Sequence, residues 1–292
     1  MMRQRPAIFE AAFWMTGAIV SFCSMAVAGR AVSLELDTFE LMTFRSIIGL
    51  ILVLIIGKFA GTLVQINNKS LGIHILRNVS HFAGQNMWFF AVTVIPLAQV
   101  FALEFTSPLW VTLFAPLLLG EKLTKMRVFA AIMGFVGIVI VARPDSVVIN
   151  MGVIFAALSA VCFAGSALFT TLLTRNHTVT CILFWLTFMQ LFFGLICAGY
   201  DGDFSMPSVV TLPWLFLIGC SGLLAHFCLT KALSIAPAIV VLPIDFIRLP
   251  FIAVIGALVY HETIAFSVYL GAVIIFAANY ANIWYESRKM NV

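Results

Sequence analysis

Apolar residues run along this chain in long blocks separated by short polar breaks, without the two-residue alternation of a half-buried strand. A bilayer-crossing helix needs about 20 such residues. Breaks at charges, glycines and prolines give ten blocks: Ile8–Ala28, Phe39–Gly57, Leu71–Val94, Pro96–Leu119, Met126–Ala142, Met151–Leu173, Thr180–Gly199, Thr211–Lys231, Pro237–Tyr260 and Ala265–Tyr285. The pattern predicts an all-α membrane protein with ten transmembrane helices, and the missing alternation excludes a β-barrel. The longest connections, "KFAGTLVQINNKS" and "YDGDFSMPSVV", leave no room for a soluble domain. Arg3 and Arg5 before an apolar stretch ending in "AVA" (Ala26 to Ala28) imitate a secretory signal. Ile8–Ala28 is nevertheless long enough to span, so an uncleaved first helix is expected.

Lys and Arg orient the helices, because they favour cytoplasmic loops. With the N-terminus inside, the cytoplasmic side collects Arg3, Arg5, Lys58, Lys69, Arg77, Lys122, Lys125, Arg127, Arg175, Lys231, Arg288 and Lys289. The outer side keeps Arg30 and Arg143, and its longest loop carries Asp201 and Asp203. The topology expected is N-in/C-in, in a cell inner (cytoplasmic) membrane.

Composition agrees. Of 292 residues, 63% are hydrophobic and 10% charged, against about 25% charged in a soluble domain. The net charge of +4 is scattered and never forms a run, so the partner expected is the lipid bilayer and not nucleic acid. Six cysteines (Cys23, Cys162, Cys181, Cys197, Cys220, Cys228) lie in apolar stretches without a CxxC pair. They read as small buried hydrophobes, and no cofactor or metal is expected.

The two halves match at an offset of 141 residues: Pro96 with Pro237, Glu104 with Asp245, Phe105 with Phe246, Glu121 with Glu262, and Gln85 with His226. Five spans per half is an odd number, so the second half enters the membrane from the opposite side. The chain is therefore expected to hold two inverted five-helix repeats, residues 1–147 and 148–292. That is the build of many secondary transporters, with the substrate site at the midplane.

The segments "FRSIIGLILVL", "IPLAQVFALEFTSPLWVTLFAPLLLGEKLTKMRVFAAIMGFVGIVIVARP" and "LSIAPAIVVLPIDFIRLPFIAVIGALVYHETI" resemble the EamA-type branch of the drug/metabolite transporter superfamily. The resemblance covers nearly the whole chain. It implies a secondary transporter of amino acids, drugs, nucleotide-like metabolites, riboflavin or S-adenosylmethionine. The stretch "RNVSHFAGQNMWFFAVTVIPLAQVFALEF" is most similar to permeases for S-adenosylmethionine or general metabolites.

Four charges are expected to be buried in the membrane: Arg45, Glu104, Asp245 and Arg248. A charge at the bilayer centre costs roughly 2.5–3.5 kcal/mol on insertion scales. Glu104 and Asp245 each lie eight residues past a proline, about 12 Å along a helix and so near mid-bilayer. Either they line a hydrated cavity with Arg248, or Asp245 and Arg248 form an inert pair three residues apart. Arg45 faces the cavity or snorkels to the surface. His81, Gln85 and His226 bind ligand or glue helices, and a histidine makes proton coupling possible. Trp88, Trp110 and Trp185, like Trp14, either stack on a ligand or pack. Glu121 and Glu262 sit where an acid meets a positive helix terminus. "GFVG" (Gly134 to Gly137) suits a tight helix contact.

The function expected is alternating-access transport of a small polar, ammonium-bearing metabolite, an amino acid or S-adenosylmethionine-like molecule. Alternatives are a permease for another metabolite or drug such as riboflavin, a channel, or a structural subunit. No phosphate-cradling glycine loop is present, so ATP is not the driver. HExxH is absent and the histidines are dispersed, which speaks against an enzyme. Monomer and homodimer both remain open.

Overall fold

The computed structural model describes residues 4–119, 125–142, 150–200, 204–236 and 241–290. Glu121, Pro237, Arg143, Asp201 and Asp203 lie outside the described residues. Those described are helical, with no strand among them. The helices are α1 (Gln4–Val32), α2 (Thr38–Phe59), α3 (Leu71–Val94), α4 (Leu97–Glu104), α5 (Ser107–Leu119), α6 (Lys125–Ala142), α7 (Met151–Leu173), α8 (Val179–Ala198), α9 (Leu212–Ile235), α10 (Arg248–Tyr260) and α11 (Phe266–Met290). Short 3-10 turns occupy Leu63–Gln65 and Leu242–Ile247.

Helix starts follow from local polar chemistry. Asp37 accepts hydrogen bonds from the Phe39 and Glu40 amides at 2.7 and 2.8 Å, and Glu40 accepts one from the Asp37 amide at 2.9 Å. This reciprocal cap satisfies amides that the first turn of α2 leaves free. Asn150 caps α7 through the Gly152 amide, and Thr178 caps α8 through that of Cys181.

Among the described residues, six stretches are long and apolar enough to cross a membrane: Phe9–Val32, Thr38–Phe59, Leu97–Leu118, Met151–Leu173, Val179–Ala198 and Leu212–Ile235. Val128–Val141, Arg248–Tyr260 and Phe266–Asn282 are shorter apolar helices. Large apolar side chains such as Phe13, Ile55, Phe135, Phe192 and Phe276 face outward, as lipid contact requires. A soluble monomer rarely exposes an apolar patch beyond a few hundred Å².

The most extensive helix pairings all join the N-terminal to the C-terminal half: α1 with α9, α3 with α7, α2 with α8, and α6 with α11. α4 also meets α10. Exchanging each segment with its counterpart five segments on turns α1–α9 into α7–α3 and leaves the other three pairings unchanged. The largest apolar core gathers the ends of α1 and α3 with the starts of α2, α4, α7 and α9, including Ala28, Leu41, Val92, Leu97, Val153 and Leu215. It closes one end of the bundle. In the seam between α6 and α11, Gly137 packs against Gly271 and Ile275.

Candidate functional site

Pro108 has no N–H to give the carbonyl of Glu104 four residues back, and its ring clashes there. α4 accordingly stops at Glu104 and α5 restarts at Ser107. In the other half Pro250 stands four residues after Phe246, and the chain before it runs as the 3-10 turn Leu242–Ile247. Glu104 and Asp245 therefore sit at two breaks in the helical backbone. Irregular backbone at membrane depth is tolerated where protein or a watery cavity satisfies it.

The acids share one cation. Arg248 Nη2 donates to Glu104 Oε1 at 2.7 Å and to Asp245 Oδ2 at 2.6 Å. Trp88 Nε1 donates to Glu104 Oε2 at 2.7 Å. The guanidinium lies 4.8 Å from the ring centres of Phe22 and Phe101. Glu104, without a partner near it in sequence, gains both of these from other helices. Two carboxylates thus face a single guanidinium in an aromatic collar. Asp245 Oδ1 and Arg248 Nε have no hydrogen-bond partner among the described residues.

This cluster lies at one end of a cavity of about 100 Å³. One water takes roughly 10–15 Å³ on that scale, so several fit. Arg77, His81, Gln85 and Trp88 line it from a single face of α3, a stripe about 16 Å long at 1.5 Å per residue. Glu104, Asp245, Arg248 and His226 add ionisable groups from the other helices, Ser107, Ser166, Thr170 and Thr230 add hydroxyls, and Phe22 and Phe163 are among the apolar walls. The His81 and His226 rings meet edge to face, with centres 4.6 Å apart. The Nε2 atoms of both have no partner.

The opposite end of the stripe is basic. Arg77, 1% exposed, donates to Thr170 Oγ1 and Asn78 Oδ1, each at 3.1 Å. Arg45 is also buried. It donates to Gln85 Oε1 and, at 3.4 Å, to Met42 Sδ, and does not snorkel. It borders a small adjoining void with Ser46, Gln190 and His226. No carboxylate pairs with either arginine among the described residues.

Two of the candidate tryptophans lie elsewhere. Trp110 stacks on Phe114 and packs with Val111, Ala115, Ala164 and Leu168. Trp185 donates to the Asn67 carbonyl at 2.7 Å. Arg77 is the residue that sequence reasoning assigned to the cytoplasmic loops instead of the site. Its spacing of four and eight residues before His81 and Gln85 is the signal that puts it on their face.

At the sealed end, Arg30 pairs with Glu262 and donates to the carbonyls of Val92 at 2.6 Å and Ile95 at 2.9 Å. Glu262 Oε2 accepts from the Leu97 amide at 3.0 Å. The positive helix terminus that Glu262 meets is thus that of α4, not of the helix that follows it. This latch ties the two halves together beyond the apolar core.

The EamA-like transporter family matches residues 10–143 and again 150–284. A riboflavin transporter of Brucella anthropi is 31% identical over 218 residues, 73% of this chain and 77% of the relative. An S-adenosylmethionine uptake transporter of Rickettsia bellii is 26% identical over 278 residues, 95% of this chain and 94% of the relative. A crystal structure with 16% identity shares the fold, with a TM-score of 0.68 over 97% of this chain and 99% of that one. With the family matched in both halves, this chain belongs to the EamA-like transporters, multi-pass membrane proteins that move small molecules and are not enzymes.

Proposed function

We propose that this protein is a secondary transporter for a small ammonium-bearing metabolite of the S-adenosylmethionine or amino-acid class. Its ten spans form two inverted repeats, residues 1–147 and 148–292, with both termini in the cytoplasm of an inner-membrane carrier. The reading is carried by one observation: a single guanidinium is shared by two carboxylates beside a cavity, so that one acid has no cation of its own within reach among the described residues. A substrate cation supplies the missing charge, and a proton takes its place on the empty return. Arg77, at the other end of the stripe, suits a substrate carboxylate.

The helix exchange described above supports inverted repeats, since a rocking carrier needs two halves of equivalent packing. With the N-terminus inside, the Arg30–Glu262 latch faces outward and the cavity lies in the cytoplasmic half. The conformation is then inward-facing. Opening outward requires that latch to break.

Riboflavin is the second reading. A riboflavin transporter is among the relatives, and Phe22, Trp88 and Phe163 give the cavity aromatic faces. Counterflow in proteoliposomes separates the two. Labelled S-adenosylmethionine accumulates against unlabelled S-adenosylmethionine inside and is displaced by basic or zwitterionic metabolites. Displacement by riboflavin alone would favour the flavin reading, and linear, unsaturable flux would overturn both.

A further inference from the structure

Away from the cavity, the first turn of α3 and the start of α8 bring His74, His177 and Cys181 together. One ligand atom from each lies within 4.8 Å of the others. His74 and Cys181 are fully buried, and His177, in the turn before α8, is half-buried. Among the described residues, both ring nitrogens of His74 and Nε2 of His177 have no hydrogen-bond partner. Cys181 Sγ lies 3.7 Å from His177 Nδ1. A buried imidazole normally has its nitrogens bonded, so orphan nitrogens converging on a thiol call for an occupant.

We propose that His74, His177 and Cys181 form a transition-metal site suited to Zn²⁺. Two imidazoles and a thiolate are borderline-soft donors, which match zinc and not calcium or magnesium. Three protein ligands leave a fourth position for water. Zn–N and Zn–S bonds of about 2.0 and 2.3 Å hold ligand atoms about 3.5 Å apart in a tetrahedron, so binding draws the set inward by about 1 Å. The ion enters past the half-exposed His177. The Cys181 thiol gives its proton to water as the Zn–S bond forms, with no change of oxidation state. The guanidinium of Arg77, one turn along α3, is turned to Thr170 and Asn78. Because α3 and α8 belong to opposite halves, a bound ion clamps one half to the other. That consequence rests on the rocking mechanism proposed above, whereas the metal site itself does not.

The test uses the purified full-length chain in detergent, with Co²⁺ as spectroscopic probe. One Co²⁺ binds per chain, giving a thiolate-to-cobalt charge-transfer band that Zn²⁺ displaces. C181S loses the band, and H74Q keeps it with affinity weakened by about tenfold or more. Absence of the band in the unaltered protein, or its persistence in C181S, overturns the site whether or not the protein transports. In proteoliposomes, Zn²⁺ slows uptake by the unaltered protein and not by C181S. Uptake indifferent to a bound ion overturns the clamp alone.

Discussion

Arg248→Met and Glu104→Gln remove opposite members of one hydrogen-bonded cluster, and their effects diverge. Glu104 Oε1 and Asp245 Oδ2 lie 2.7 and 2.6 Å from the same nitrogen, so they are at most about 5.3 Å apart. At an effective dielectric constant of 20, two unit charges at that separation repel by about 3 kcal/mol. Arg248→Met leaves this repulsion unopposed and strips both acids of their cation. The loss expected is the 3–5 kcal/mol or so typical of a broken buried pair. Glu104→Gln relieves the same repulsion while giving up one carboxylate–guanidinium attraction, about 4 kcal/mol at 4 Å on the same scale. The two changes nearly cancel, and the amide oxygen still accepts a hydrogen bond. At about 2 °C or more per kcal/mol, Arg248→Met lowers the apparent melting temperature in detergent by about 6 °C or more. Glu104→Gln shifts it by no more than about 3 °C. Binding of S-adenosylmethionine, measured by thermal shift and by uptake, weakens in Glu104→Gln by roughly 10- to 100-fold, since a charged hydrogen bond is worth about 1.5–3 kcal/mol. If Glu104→Gln melts as low as Arg248→Met while substrate affinity is intact, the cluster is a structural ion pair and the proposed site is wrong.

Arg30→Ala leaves Glu262 and the carbonyls of Val92 and Ile95 without their donor. The sealed end should open, and labelling of Cys23 by a membrane-impermeant thiol reagent, read by mass spectrometry, rises about tenfold or more for 1.5–3 kcal/mol lost; unchanged labelling excludes the latch. Trp88→Phe deletes a donor to Glu104 and weakens substrate binding roughly tenfold, whereas Trp110→Phe, at a side chain that does not line the cavity, changes it less than about twofold; equal losses would show the binding site lies elsewhere. Glu35 accepts hydrogen bonds from the Ser208 amide and hydroxyl and from the Thr211 hydroxyl, and these hold its pKa below the usual carboxylate value. Because the folded pKa is the lower one, the loop contact is at full strength above the unfolded pKa, about 4.3, and is lost as pH falls through the folded value. Amide exchange over 208–211, corrected for its intrinsic rate, should therefore accelerate only in acid, and an acid step that survives Glu35→Gln refutes the assignment.

How much could be read beforehand depended on whether a residue's direction was encoded. The third and sixth blocks end where α3 and α7 end, because Lys69 and Ser70 and then Pro96 bound the one, and Asn150 and then Thr174 and Arg175 bound the other. The convergence of Glu104, Asp245, Gln85 and His226 was legible from the 141-residue offset, since equivalent residues of duplicated halves approach a common axis. Trp110 and Trp185 carried no such sign: in a helix apolar all round, periodicity does not separate the lipid face from the packed face. Arg77 misled for a related reason. A charge near a span end resembles a membrane anchor, and only its register with His81 and Gln85 turns it inward. The break at Glu104 was implicit in Pro108, but finding it meant following the missing hydrogen bond back four residues.

Packing also determines where rocking is cheap. At the α6–α11 crossing, a methyl added to Gly137 would lie 3.1 Å from the Gly271 carbonyl oxygen, and one on Gly271 would lie 2.8 Å from that of Gly137. Backbone meets backbone there, beside the still closer Ile275 and Val141 side chains, so a change of rotamer alone does not free a slide. Along α3–α7 and α1–α9 the close approaches are to side chains: Gly84 faces Phe163 and Cys162, and Gly17 faces Cys228. Side chains can change rotamer, and water in the cavity can exchange onto the unpartnered nitrogens of His81 and His226. Displacement is therefore costly at the seam and inexpensive beside the cavity. In the rocking motion proposed above, an axis near α6–α11 would turn the halves with least disruption. The groups that need water for their charge then lie in the same place as the interface that must move.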